Sequence, residues 1–360
     1  SDANKLLLSD DVCYNCHDKT AFEKKTVHMP VAAGMCTGCH SPHAAEADKL
    51  LLSDNICYNC HDRAGFEGKT VHMPVAGGMC TSCHTPHASD ANKLLLSDDV
   101  CYNCHDKSAF EKKTVHMPVA AGMCTSCHLP HASKMEKLLL TADICYNCHD
   151  KAGFEGKTVH MPVVAGMCLG CHLPHASNAN KLLLSDDVCY NCHDKAAFEK
   201  QTVHMPVAGG MCTSCHNPHA SGTEKLLLSD NVCFNCHDST AFEKKITHAP
   251  VLAGMCTGCH SPHASDSASL LLSDNVCFNC HDNTVFEKKT VHVPVAAGMC
   301  TGCHTPHASE TEKLLLSPEV CFNCHDKGSF SGKKLIHAPV AAGMCTSCHN
   351  PHATEADKLL

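Results

Sequence analysis

The amino-acid sequence predicts a mostly irregular chain of loops and short α-helices, almost without sheet, laid out as a linear array of eight repeats of about 44 residues. Three observations predict it. The first is a fixed period, the signature of a repeat architecture. A CYNCH or CFNCH motif begins at Cys13, Cys57, Cys101, Cys145, Cys189, Cys233, Cys277 and Cys321. A second C-x-x-C-H begins at Cys36, Cys80, Cys124, Cys168, Cys212, Cys256, Cys300 and Cys345. Every step is 44 residues except the last, where one residue is added between His325 and His337. The second observation is composition: 360 residues hold 11 Phe, 5 Tyr and no Trp, too few large apolar side chains for an ordinary core. The third is the presence of 32 Cys and 32 His, with every cysteine inside a C-x-x-C-H motif. A unit this small cannot bury a core alone, so it must stack on its neighbours or on a cofactor.

The units run 1–44, 45–88, 89–132, 133–176, 177–220, 221–264, 265–308 and 309–360, the last including the start of a further linker. Within the first, Leu6–Leu8 are expected to cover a cofactor face or a neighbouring unit. Ser9 and Asp10 read as N-caps of a short helix entering Cys13. Pro30 is expected to hold His28 and Met29 out of a helix. Both ends fall inside a repeat and no signal peptide is present. This is the expectation for a mature, trimmed or excised chain, or for one that continues into another molecule. No apolar run approaches the ~18 residues of a membrane helix. A net charge of −9 argues against nucleic acid, which calls for a basic face.

C-x-x-C-H is the attachment signature of c-type haem. Two thiols two residues apart on a helical turn reach the two vinyl groups of one porphyrin, and the histidine that follows lies under the iron. The second cysteines of the sixteen pairs are Cys16, Cys39, Cys60, Cys83, Cys104, Cys127, Cys148, Cys171, Cys192, Cys215, Cys236, Cys259, Cys280, Cys303, Cys324 and Cys348. The proximal ligands are then His17, His40, His61, His84, His105, His128, His149, His172, His193, His216, His237, His260, His281, His304, His325 and His349. Sixteen histidines remain. Eight lie in an H-x-P stretch: His28, His72, His116, His160, His204, His248, His292 and His337. Eight lie in P-H-A: His43, His87, His131, His175, His219, His263, His307 and His352. Sixteen distal candidates for sixteen irons imply covalent haem c, bis-histidine and closed to substrate, so that the fold is a haem-cored array.

Other readings compete. An even cysteine count fits disulfides, but disulfides do not require a histidine after each pair. Cys13, Cys16, Cys36 and Cys39 have zinc-ribbon spacing, yet zinc has no use for that histidine either. Met35 recurs in every unit beside a haem cysteine and reads as porphyrin packing rather than a ligand. Met29 becomes Ala249, Val293 and Ala338, which excludes a ligand role. Tyr14 becomes Phe234, Phe278 and Phe322, so its hydroxyl is dispensable, and with Phe22 it supplies two aromatics per unit for ring packing. Asp18 follows the proximal histidine in every unit; a bond to a ligand imidazole and a helix or surface role are equally open.

His40 and His43 are too close in sequence to reach both faces of one porphyrin, so His43 must serve a second haem. Three residues span at most about 10 Å, which places the two irons on the order of 10–15 Å apart. Two pairings stay open: His43 with the following Cys57/Cys60 haem, which leaves His352 and the Cys13/Cys16 haem to a neighbouring subunit, or His43 with the preceding Cys13/Cys16 haem, which leaves the chain self-sufficient.

The stretch from Cys36 to His61, CTGCHSPHAAEADKLLLSDNICYNCH, resembles the doubled motif of multihaem c-type cytochromes, which include periplasmic decahaem cytochromes and extracellular cytochrome filaments. The resemblance covers essentially the whole chain. It implies covalent haem, bis-histidine ligation, long-range electron transfer and a periplasmic or extracellular location, because haem is attached outside the cytoplasmic membrane. Two histidine ligands imply low potentials within a ligand-set range of about 0.8 V. Ferric haems with ionised propionates would carry the net charge to about −25. The function expected is electron conduction through a continuous row of haems, as a filament or a segment of one, with copies of itself head-to-tail and redox proteins or extracellular acceptors as partners. The alternatives are a discrete periplasmic or cell-surface cytochrome, or a multihaem reductase, which would need an open iron.

Overall fold

Short turns dominate because the attachment motifs close on themselves. In the computed structural model, which describes residues 11–360, the Cys13 carbonyl accepts from the N–H groups of Cys16 and His17 at 3.2 and 3.0 Å. The result is the 3-10 turn Val12–Asn15. Cys36 repeats the arrangement in the turn Cys36–Gly38. Such tight turns rarely exceed one round, and the chain moves on. Asp18 starts the next turn, Lys19–Phe22, by accepting from the Thr20 N–H at 2.9 Å. The same Asp cap recurs in all eight units, so the helix role of Asp18 is the one observed. Ser9, Asp10 and Leu6–Leu8 lie outside the described residues. At the equivalent turn, Ile56–Asn59, the N-cap is Asn55 and no side chain caps it.

Pro30 acts differently from the expectation. His28 is extended (φ −64, ψ 133), as foreseen, but Met29 joins the α-helical turn Met29–Ala32. Proline sits in its first turn, where the missing N–H would have had no partner anyway. Gly34 then ends the turn with φ +68, a left-handed conformation that costs glycine least. The Met35 N–H returns to the Pro30 carbonyl at 2.8 Å, which delivers the chain into Cys36.

Sheet is confined to pairs of two-residue strands, and every described pair joins one unit to the next. Thr26–Val27 runs antiparallel to Ala88–Ser89 in the register Thr26↔Ser89, Val27↔Ala88. The pattern repeats as Thr70–Val71 with Ala132–Ser133, and so on to Thr290–Val291 with Ala353–Thr354. The chain forms two compact bodies, one made of residues up to Gly153 with Met167–Val188, the other of Phe154–Gly166 with Cys189–Leu360. The same junction is built in each.

Side chains supply little core. The buried apolar residues among those described are alanines and valines, among them Ala88, Val100, Ala176 and Ala353. Met29 and its counterpart Met73 are 80% and 81% exposed. The interior that the aromatic-poor composition could not fill is left for something other than side chains. No helix among the described residues is long and apolar enough to cross a membrane.

Candidate haem sites

The two-residue ladder does more than join units: it sets two histidines side by side. The His28 N–H donates to the His87 carbonyl at 2.8 Å, directly beyond the Val27↔Ala88 pair. From that shared anchor the two rings face different partners. His28 lies 6.0 Å from His61, centroid to centroid, with planes 16° apart. His87 lies 5.9 Å from His40, with planes 41° apart.

Both relations recur. The H-x-P histidine of one unit faces the first-motif histidine of the next in seven pairs, at 6.0–6.1 Å and 14–21°. The second-motif histidine of one unit faces the P-H-A histidine of the next at 5.8–5.9 Å and 30–44°, in the pairs His40/His87, His84/His131, His128/His175, His216/His263, His260/His307 and His304/His352. Neither pairing left open by the sequence is the one formed. His87, the counterpart of His43, turns back to the second motif of the preceding unit. His352 has its partner, His304, within the chain. His17, His43, His337 and His349 face no imidazole among the described residues.

These pairs fit two axial ligands of one iron. Two nitrogen–metal bonds of about 2.0 Å together with the two ring half-widths require about 6 Å between centroids. Tautomers fit as well. His28 Nδ1 meets the Pro86 carbonyl at 2.9 Å, and His40 Nδ1 meets the Lys49 carbonyl at 3.0 Å. A carbonyl only accepts, so Nδ1 carries the proton and Nε2 keeps the lone pair that a metal needs. Burial, then the charges of His40 and His28, hold His87 below the usual histidine range and keep it neutral. Phe22 packs on the His87 ring at 5.2 Å and on Tyr14 at 5.8 Å. The aromatic packing expected in each unit thus falls in part on a candidate distal histidine. This contact between units carries no sequence signal beyond the presence of Phe22 itself.

The cysteines bear on the competing readings. All 32 are free thiols. Burial, then the adjacent Cys13, push the Cys36 thiol above its usual range, and burial, then Cys80, do the same at Cys57. Among the described residues no three Cys, His, Asp or Glu side chains meet in a set that could hold a metal. The thiols instead neighbour one another in chain order, Cys13 beside Cys36, and Cys57 beside both Cys80 and Cys39.

A family model described as "Doubled CXXCH motif" matches residues 28–66, 72–110, 116–154, 160–198, 204–242, 248–286, 292–330 and 337–360, most of the chain. Each full segment begins at an H-x-P histidine and contains the first-motif histidine that this ring faces. No curated protein matches the chain.

Proposed function

The chain belongs to the doubled-CXXCH-motif family of multihaem c-type cytochromes, and on that premise we propose that it is a long-range electron conduit of sixteen covalent, bis-histidine haems. The observation that carries the reading is the reciprocal exchange seen at six unit junctions. One unit lends His28 to the Cys57/Cys60 site of the next and receives His87 for its own Cys36/Cys39 site. Cys57 and Cys60 would hold one porphyrin by thioether bonds, with His61 and His28 above and below its iron. The haem supplies one-electron chemistry. The chain's residues fix its position, close both axial faces and exclude substrate, which makes the protein a carrier rather than an enzyme. Thiols that succeed one another from Cys39 to Cys57 to Cys80 support a haem order alternating between second and first motifs. Porphyrins attached so closely pass electrons by tunnelling.

The recurrence of the same two ring relations from junction to junction supports head-to-tail continuation, in the form of a filament. A further copy docked in the register of the internal junctions would bring His337 to the counterpart of His17, and the counterpart of His43 to His349. The second reading is a discrete cytochrome, in which no copy docks and those two proximal histidines would each hold an iron with one protein ligand. The location is periplasmic or extracellular, since haem is attached there in this family, and the partners are redox proteins or extracellular acceptors.

Spectroscopy of the haem-loaded protein against concentration tests both readings. Assembled chains are expected to be wholly low-spin and inert to carbon monoxide. Two of sixteen haems turning high-spin on dilution would support a discrete chain that can associate. High-spin haem in most sites would overturn the bis-histidine conduit.

A further inference from the structure

The Lys-Leu-Leu-Leu stretch, expected to cover a haem face or a neighbouring unit, carries the least comfortable backbone in the molecule. Lys49 and Leu50 are both left-handed, at φ 57 and 59. The equivalent two residues are left-handed at all eight described positions, from Lys49 and Leu50 to Lys358 and Leu359, with Ser269 in place of lysine once. Side chains disfavour this region, because Cβ crowds the following carbonyl. The chain uses glycine for the same conformation at Gly34 and its seven counterparts, yet at the Lys-Leu step it never does. A repeated outlier of this kind, kept without the residue that would relieve it, calls for a function.

The turn folds the stretch back on the second attachment motif. The Leu50 carbonyl accepts from the Ser41 N–H at 2.8 Å, the Cys39 carbonyl accepts from the Leu52 N–H at 2.9 Å, and Leu51 bridges His40. Between these bonds the left-handed Lys49 aims its carbonyl at His40 Nδ1. Seven of these contacts measure 2.9–3.1 Å. Buried serines brace the turn from behind: Ser89 Oγ donates to the Leu95 carbonyl and accepts from the Ala91 N–H. First-motif histidines such as His61 have no such partner among the described residues.

We propose that the left-handed Lys-Leu turn is a positioning element for the second-motif haems, resting on the haem reading above. It aims one main-chain carbonyl at Nδ1–H of the proximal histidine, which fixes the plane of that ring and strengthens Nε2 as a donor to iron. A stronger donor favours the ferric state, so the turn lowers the potential of one haem in each unit and leaves the other to different control. Side chains in place of glycine hold the turn in a single conformation, which a carbonyl aimed at a ring requires.

The test is a potentiometric titration of the full haem-loaded chain, followed by absorption and EPR. In one variant the leucine becomes valine in all eight described turns, from Leu50 to Leu359, because β-branching resists a left-handed backbone. In the other it becomes glycine, which accepts it. The valine set is expected to raise the potentials and alter the low-spin signal of half the haems, and the glycine set to leave both near the parent values. Should the valine set fail to load haem, Leu226→Val alone is expected to displace one transition of sixteen. Unchanged potentials in a loaded valine variant, or a uniform shift of all sixteen, would overturn the proposal. The pyridine haemochrome of the parent chain reports separately on the haem reading, whose failure would appear as a colourless protein.

Discussion

On the proposed reading, first-motif and second-motif sites share one ligand chemistry and are held from opposite sides. At the first motif the distal ring is the fixed one: His28 is an extended residue between a ladder and a proline-led helical turn, with Nδ1 bound to the Pro86 carbonyl. The facing rings are near parallel, 14–21°. At the second motif the proximal ring is fixed, by Lys49, while the distal His87 is set by the ladder and by Phe22, and the rings tilt by 30–44°. The two ranges do not overlap. A chain of one repeated sequence thus builds two kinds of site in alternation, each with one ring locked by a main-chain carbonyl. The relative orientation of ligand planes sets the splitting of the iron d orbitals, so the two kinds are distinguishable by spectroscopy.

The largest expected effect comes from removing a distal ring of either kind. His204→Ala should turn one haem of sixteen high-spin, and the affected haem should be the one attached in the next unit, at Cys233 and Cys236, because His204 faces His237. His263→Ala should instead open the site of the preceding unit, at Cys212 and Cys215, because His263 faces His216. Adding Cys→Ala changes at the named attachment pair should abolish the high-spin signal in each case. Abolition at the variant histidine's own unit would reassign the ligands.

A smaller effect should separate the two kinds without breaking either. Phe198 packs on His263 at 5.2 Å and on Tyr190 at 5.7 Å. Phe198→Ala is expected to cost about 1–2 kcal/mol in thermal unfolding, since the ring is only partly buried and an aromatic pair adds about 1 kcal/mol. Its EPR signature should be broadening of the tilted population alone. Equal broadening of both populations would mean that the ring supports the junction as a whole.

The smallest effect belongs to the Asp caps, which serve both kinds alike. The hydroxyl and then the N–H of Thr240 hold the Asp238 carboxyl below its ordinary 3.8. A depressed folded value gives stability that is present above the ordinary value and lost as pH falls through the folded one. Asp238→Asn should therefore lower the melting temperature slightly at pH 7, and the difference from the parent should vanish as the pH falls below about 4. The cap is fully exposed, so a large shift at neutral pH would contradict its assignment as a local turn device.

The repeats, the sixteen attachment motifs and the shortage of sheet were legible in the sequence, because each is written as a spacing or a count. The pairing was not. A fixed period is compatible with a histidine serving its own unit, the next or the one before, and the register is chosen by two-residue ladders such as Thr26–Val27 with Ala88–Ser89, too short to carry an alternation of apolar and polar residues. Pro30 was legible as a break but not as the start of a turn, since proline serves both roles. The Lys-Leu turn was invisible because its left-handed residues are not glycine. Asp18 was legible only as one of two choices, and the Thr20 N–H decides it.

The most direct test of reciprocal ligation is the density of the haem-loaded protein by electron cryomicroscopy, read at the axial positions of the internal irons. His61 and His28 are expected on one iron, and His40 and His87 on another, in each junction along the chain. Irons bound by two histidines of the same unit, such as His17 with His28 or His17 with His43, would contradict it.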